Sequence, residues 1–231
     1  MKQIEWSEKQ RSTIQKSFRH CLEVEEGTPR SGKTTCAVAR FAWFLWNTPD
    51  QNHLVLAYNQ EQAFRLVMDC DGLGLLHVYQ NLTEQKHDDF GDYVLLHAPN
   101  GGKKVYYKGA GKADSHKAFT GLSLGSVFFC EINLLHMNAI QEAFRRTMAA
   151  KIRWHIADLN PPAPNHPVID EVFNVQDRLQ LSKKAFLFSL IKARNSIPAP
   201  GKRPDLLSLQ YSGKAQLSQP LDQHLEIGSF R

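Results

Sequence analysis

The sequence predicts an α/β fold with a mostly parallel central sheet flanked by helices, and three observations carry that expectation. His20–Glu25 alternates in character like a short strand, residues 27–34 (GTPRSGKT) hold two glycines suited to a turn, and Thr35–Trp46 is apolar at helical spacing. His53–Tyr58 (HLVLAY) reads as a buried strand and Gln60–Asp69 as the helix returning from it, which repeats the strand–helix unit. Ser126–Glu131 (SVFFCE) is an apolar run closed by a carboxylate, the pattern of a central parallel strand that delivers an acid to the carboxyl edge of the sheet.

The remaining elements follow in chain order. Ser7–Phe18 reads as a polar helix with Ser7 as N-cap ahead of Gln10. Glu23 and Glu25 make the first strand an unusual one to bury. Within Thr35–Trp46, interrupted by Arg40, the aromatics Phe41, Trp43, Phe44 and Trp46 are expected in the helix-packing core, and Asn47-Thr48-Pro49-Asp50 ends the helix. Residues 71–100 are mixed, with a hairpin expected from strands Tyr93–His97 and Lys104–Tyr107 around Pro99-Asn100-Gly101-Gly102. Lys108-Gly109-Ala110-Gly111-Lys112 is either a second phosphate loop without the usual spacing or a mobile turn, and the turn is favoured. A helix is expected over Asn138–Ala150 and a strand over Arg153–Ala157, ending at Asp158-Leu159-Asn160-Pro161-Pro162.

With 231 residues, 42% of them hydrophobic, the chain can bury one substantial core. A single domain is expected over 1–231, with about 1–20 an N-terminal helical segment and about 195–231 a closing segment. The net charge of +5 permits a polyanionic partner such as DNA, but the charges are dispersed. Cys21, Cys36, Cys70 and Cys130 form no C-x-x-C pair, which suggests free thiols in a reducing cytoplasm, and the ten histidines lack zinc-ligand spacing. No apolar run reaches the roughly 18 residues that a membrane span needs, and no signal-peptide pattern opens the chain.

The phrase Gly27-Thr28-Pro29-Arg30-Ser31-Gly32-Lys33-Thr34 matches G-x-x-x-x-G-K-[ST] in full, which makes a nucleoside triphosphate, ATP, and Mg²⁺ the expected ligands. Successive backbone N–H groups face the phosphates, Lys33 reaches the β and γ phosphates, and the Thr34 hydroxyl ligates Mg²⁺. The fold class is therefore that of a P-loop NTPase of the ASCE/RecA-like kind. Glu131, at the same sheet edge, suits the general-base or water-positioning role of hydrolysis. Many NTPases place an Asp just before that Glu to hold the Mg²⁺ shell; here Cys130 stands there, a poor ligand for a hard cation. Asn160 is either a sensor of the γ-phosphate or a turn residue before proline, and Arg145-Arg146 either a charge-neutralising finger or an exposed helix face.

With GTPRSGKT, VFFCEINLLH and LNPP in that order and at these separations, the chain resembles the ATPase domain of phage large terminase subunits, the motors that package double-stranded DNA into procapsids. Arg30 inside the P-loop and Phe119–Gly125 leading into the acid-bearing strand fit the same family, and the similarity runs from about Trp6 to Arg231. The resemblance implies Gln10 as the adenine-reading glutamine and Asn160 as the coupling motif. Gly27 to Thr35 would surround the phosphates with Lys33 and Arg30 neutralising charge, Glu131 would position water, and Mg²⁺ would be held by Thr34 and, through water, by Glu131. Leu209–Gly213 and Glu226–Phe230 resemble the phrases that close this ATPase region. Implied partners are double-stranded DNA, a small terminase subunit and a portal protein, with a homo-oligomeric ring as the active form in the cytoplasm of the bacterial host and no membrane.

Two departures accompany the resemblance. Cys130 replaces the usual acid, and the nuclease domain that family members normally carry next is not in this sequence, so no nuclease activity is expected of this chain. Two rival readings stand beside the motor: a P-loop small-molecule kinase, disfavoured by the lack of an arginine-bearing lid, and a nucleotide-gated binding or assembly module with little turnover, which Cys130 makes credible.

Overall fold

The computed structural model describes residues 5–18, 20–163 and 165–173. Its strands are β1 (Leu22–Glu26), β2 (Asn52–Ala57), β3 (Thr83–Asp88), β4 (Gly91–Ala98), β5 (Gly101–Gly109), β6 (Ser126–Phe129) and β7 (His155–Leu159), joined in one sheet of order β1-β7-β6-β2-β5-β4-β3. From β1 through β5 every neighbouring pair is parallel, and β4 and β3 extend the sheet antiparallel. The helices are α1 (Glu8–Gln15), α2 (Lys33–Asn47), α3 (Gln60–Ala63), α4 (Leu75–Tyr79) and α5 (Met137–Arg146). This is the expected α/β class.

The alternation of strand residues sorts the core onto two faces. Val55, Phe128 and Ile156 point to one face and pack with Val38, Phe41, Phe44 and Leu45 of α2. Leu54, Leu56, Val127, Phe129 and Ala157 point to the other, against Ile140 and Ala143 of α5. Phe41, Phe44 and Trp46 are buried as expected and Trp43 is half-buried. Each fully buried aromatic or aliphatic side chain contributes about 1.5–3 kcal/mol, so α2 is held chiefly by this face.

The glutamates of β1 are explained by its place at the sheet edge, where Val24 and Glu26 are exposed and Glu23 pairs with Arg40 at 2.5 Å. Arg40, the residue that interrupts the apolar run, is fully buried and lies over the Phe18 ring, 4.8 Å from its centroid. It donates to the carbonyls of Thr13, Ile14 and Lys16 at 2.9, 3.1 and 2.9 Å, satisfying the carbonyl end of α1. Because α1 buries no residue of its own, this guanidinium is a main tie between its carbonyl end and the domain.

At their starting ends the parallel strands are closed by neutral histidines. His53 Nε2 donates to the Asp50 carbonyl at 3.1 Å, which leaves Nδ1 to accept from the Ser126 hydroxyl at 2.7 Å. His155 Nδ1 accepts from the Val127 amide at 3.1 Å, with Thr147 Oγ1 3.2 Å from Nε2. Burial lowers both histidines' pKa values, that of His53 to about 4.

Several boundaries differ from the expectations. The helix expected over Gln60–Asp69 is α-helical only to Ala63, then a π-helix over Phe64–Asp69 that ends where Cys70 and Asp71 adopt positive φ. β3 was not expected: its residues TEQKHD carry no apolar alternation, and β4 supplies its ladder. Lys108 and Gly109, expected in a turn, are the last residues of β5. α5 stops at Arg146 instead of Ala150, and β7 continues past Ala157 through Asp158 and Leu159. The closing segment of about 195–231, with Leu209–Gly213 and Glu226–Phe230, lies outside the described residues. Among the described residues no helix is long and apolar enough to cross a membrane.

Candidate functional site

β1 runs into the P-loop at the carboxyl edge of the sheet, where the Gly27 amide still donates to the Leu159 carbonyl of β7 at 3.3 Å. Arg30 (φ 64°) and Gly32 (φ 78°) take left-handed conformations that fold residues 28–32 over the start of α2. Gly32 is the N-cap and offers no side chain to the first-turn amides, so the helix presents them, and its positive end, toward the loop. A Cβ at Gly32 would meet only the movable end of the Gln10 carboxamide, so it is the left-handed backbone conformation that calls for glycine here. Arg30 itself is exposed.

Gln10 is brought to the loop by α1. Its Nε2 donates to the Ser31 carbonyl at 3.3 Å, while its Oε1 accepts from the Ser7 amide at 2.9 Å in a capping box that matches the expected cap.

Lys33 opens α2 and points to the neighbouring strand ends. Its Nζ donates to Asn160 Oδ1 at 2.8 Å, and Asn160 Nδ2 faces Glu131 Oε1 at 3.4 Å. The other Glu131 oxygen accepts from Gln62 Nε2 of α3 at 3.0 Å. Lys33, Asn160 and Glu131, three of the residues singled out from the sequence, thus share one polar chain; Gln62, which was not singled out, completes it. Glu131 holds a left-handed backbone (φ 47°), unusual for a non-glycine residue, and its amide donates to Asp158 Oδ1 at 2.7 Å.

Thr34, the last P-loop residue, donates its hydroxyl proton to Asp158 Oδ2 in a short hydrogen bond. Asp158 is fully buried, and burial raises its carboxyl pKa against the lowering effect of Thr34 and the Glu131 amide. Like Gln62, it is a site residue that sequence reasoning missed. The expected strand ended before it, although its position two residues ahead of Asn160 on an extended chain was a usable signal. Cys130 is also fully buried, among the apolar residues under α2, and burial followed by the nearby Asp158 and Glu131 carboxylates holds its thiol well above the usual range. All four cysteines are free.

The arrangement supplies helix amides and a lysine for an anion, a carboxylate held in reach of the same edge, and hard oxygen donors from Thr34 and Asp158. Those donors fit Mg²⁺, which usually takes one or two protein ligands beside substrate phosphates. Among the described residues no group of three or more His, Cys, Asp or Glu side chains forms a metal cage. Arg145 and Arg146 are engaged with Glu142 of the same helix, at 3.5 and 2.6 Å.

Comparison with known proteins bears on this geometry. In solved structures, the large terminase of a thermophilic bacteriophage superimposes with a TM-score of 0.60 at 18% identity, covering 76% of this chain and 44% of that one. The same phage protein in complex with ATP-γ-S gives 0.59 at 18% identity over 75% and 43% of the two chains, and with ADP 0.58 at 19% over 75% and 43%. At these identities the shared feature is the fold, and the chain spans less than half the length of those structures. A search of the curated proteins finds no match. The family described as terminase large subunit, T4likevirus-type, N-terminal, matches residues 26–188, a span that holds the P-loop and the ends of both β6 and β7, and the chain belongs to that family.

Proposed function

We propose that this chain is the ATP-hydrolysing motor domain of a phage large terminase and couples ATP turnover to translocation of double-stranded DNA into a procapsid. The observation that carries the reading is the hydrogen-bonded chain from Lys33 through Asn160 to Glu131 at the P-loop. In this reading Gly27 to Thr35 surround the phosphates, Lys33 and Arg30 neutralise their charge, and Gln10 meets the adenine. Thr34 and, through water, Glu131 would hold Mg²⁺, which would supply charge neutralisation for the phosphates.

An arriving γ-phosphate competes with Asn160 for Lys33, so the lysine exchanges an amide oxygen for an anion. The freed Asn160 amide then acts on the Glu131 carboxylate, and Glu131 orients the attacking water. The same exchange reports the nucleotide state to β7 and β6, which is the link a motor needs between turnover and movement. Residues 1–231 act as one domain, assembled as a ring on a portal with a small terminase subunit choosing the DNA.

The test is Mg²⁺-dependent phosphate release from ATP with and without double-stranded DNA, beside Lys33→Ala and Glu131→Ala. Release that both substitutions abolish and DNA stimulates is the expected result; release indifferent to both overturns the assignment. The buried thiol of Cys130 favours one rival, a nucleotide-gated module, which nucleotide binding with no release under any condition would select.

A further inference from the structure

We propose that Asp158 of β7 is the acid of the metal shell in this chain, moved one strand sideways from the position that Cys130 occupies on β6. The inference rests on the P-loop reading above and deepens it. β6 and β7 run parallel with Phe128 opposite Ile156 and Phe129 opposite Ala157. Continuing that register by one residue sets Cys130 beside Asp158. Residues opposite one another in a parallel pair share a face, and Phe128, Cys130 and Ile156 all belong to the cluster beneath α2. Asp158 therefore faces the start of α2 from the strand next to the one where a carboxylate was expected.

The contacts agree with that placement. Thr34 gives its hydroxyl proton to Asp158, so both oxygen lone pairs of the hydroxyl stay available for a cation. The second carboxylate oxygen accepts from the Glu131 amide at 2.7 Å, which links the metal-side acid to the water-positioning residue. One carboxylate thus orients the metal-binding hydroxyl and the catalytic carboxylate's backbone together. Cys130, with no hard donor, fills the apolar space beneath α2. The loss of the expected acid on β6 is offset by an oxygen donor on β7, and the chain keeps a site suited to Mg²⁺.

Calorimetric titration of the chain with ATP-γ-S, in EDTA and in Mg²⁺, separates this inference from the reading beneath it. Wild type is expected to bind in EDTA and to tighten with Mg²⁺, and Asp158→Asn to keep the EDTA affinity but lose at least about tenfold of the tightening. Equal tightening in the folded variant overturns the role of Asp158, whereas wild type that binds in neither condition overturns the P-loop reading itself. Should Asp158→Asn not fold, wild type carrying [4-¹³C]aspartate and loaded with Mn²⁺ and ATP-γ-S decides the matter by electron–nuclear double resonance. A carboxyl ¹³C coupling to the metal is the expected result, and its absence removes Asp158 from the shell.

Discussion

The two ends of the same parallel strands carry polar residues in similar numbers and use them differently. At the starting ends of β2, β6 and β7, His53, Ser126 and His155 are bonded to one another's strands and to fixed turns, and Asp50 accepts from the Lys151 and Ile152 amides at 3.0 Å each. Those partners are backbone groups and neutral side chains that no ligand would replace. At the carboxyl ends, Lys33, Asn160, Glu131 and Gln62 are bonded chiefly through side chains, partners that under the proposed function a phosphate or a water would replace. Completed bonds to backbone groups and neutral side chains stabilise one end, whereas at the other the charged Lys33 and Glu131 are held by the neutral amides of Asn160 and Gln62.

The largest effect that would sharpen this contrast is expected from Lys33→Ala. Under the proposed function, removing the charge that would meet the phosphates should lower kcat for ATP by about a thousandfold or more, with a change of under about 1 kcal/mol in urea stability. A large stability loss would erase the distinction between the two ends. The starting ends should respond to acid instead. A buried neutral His53 with its pKa lowered to about 4 contributes stability that is present above about pH 6.5 and lost as pH falls through 4. The loss is about 3 kcal/mol, and His155 acts in the same direction. Urea midpoints of wild type and His53→Gln between pH 7 and pH 4 check this, since the variant should show the shallower decline; parallel declines would assign the acid sensitivity elsewhere.

Glu131→Gln keeps the shape of the carboxyl edge but removes the proposed base. It should reduce single-turnover hydrolysis by about a hundredfold while ATP-γ-S binding stays within about threefold of wild type. Weakened binding in proportion would make Glu131 a binding residue. The smallest change belongs to Gln10→Ala, where loss of one hydrogen bond to Ser31 and of the capping box should raise the Kd for ATP by about five- to tenfold. An equal effect on GTP would argue against any part in reading adenine.

What the sequence by itself determined was local. GTPRSGKT specifies its own turn, because the glycines and the following helix start are contiguous, and the apolar runs at His53–Tyr58 and Ser126–Glu131 mark buried strands from period and β-branched or aromatic content. Lys33, Thr34, Glu131 and Asn160 were legible for the same reason, each standing at the end of an element that its neighbours define. The π-helix after Ala63 and the charged edge strand β3 were not, since neither has a repeating apolar signature. Arg40 looked like an interruption of a helix and is the buried anchor of α1, a role that depends on carbonyls more than 20 residues away. Only the tertiary structure decided that Asp158 stands beside Cys130 and meets Thr34. Lateral neighbours across two parallel strands are fixed by sheet order and register, which depend on how all the strands pack together and leave no mark on either segment alone.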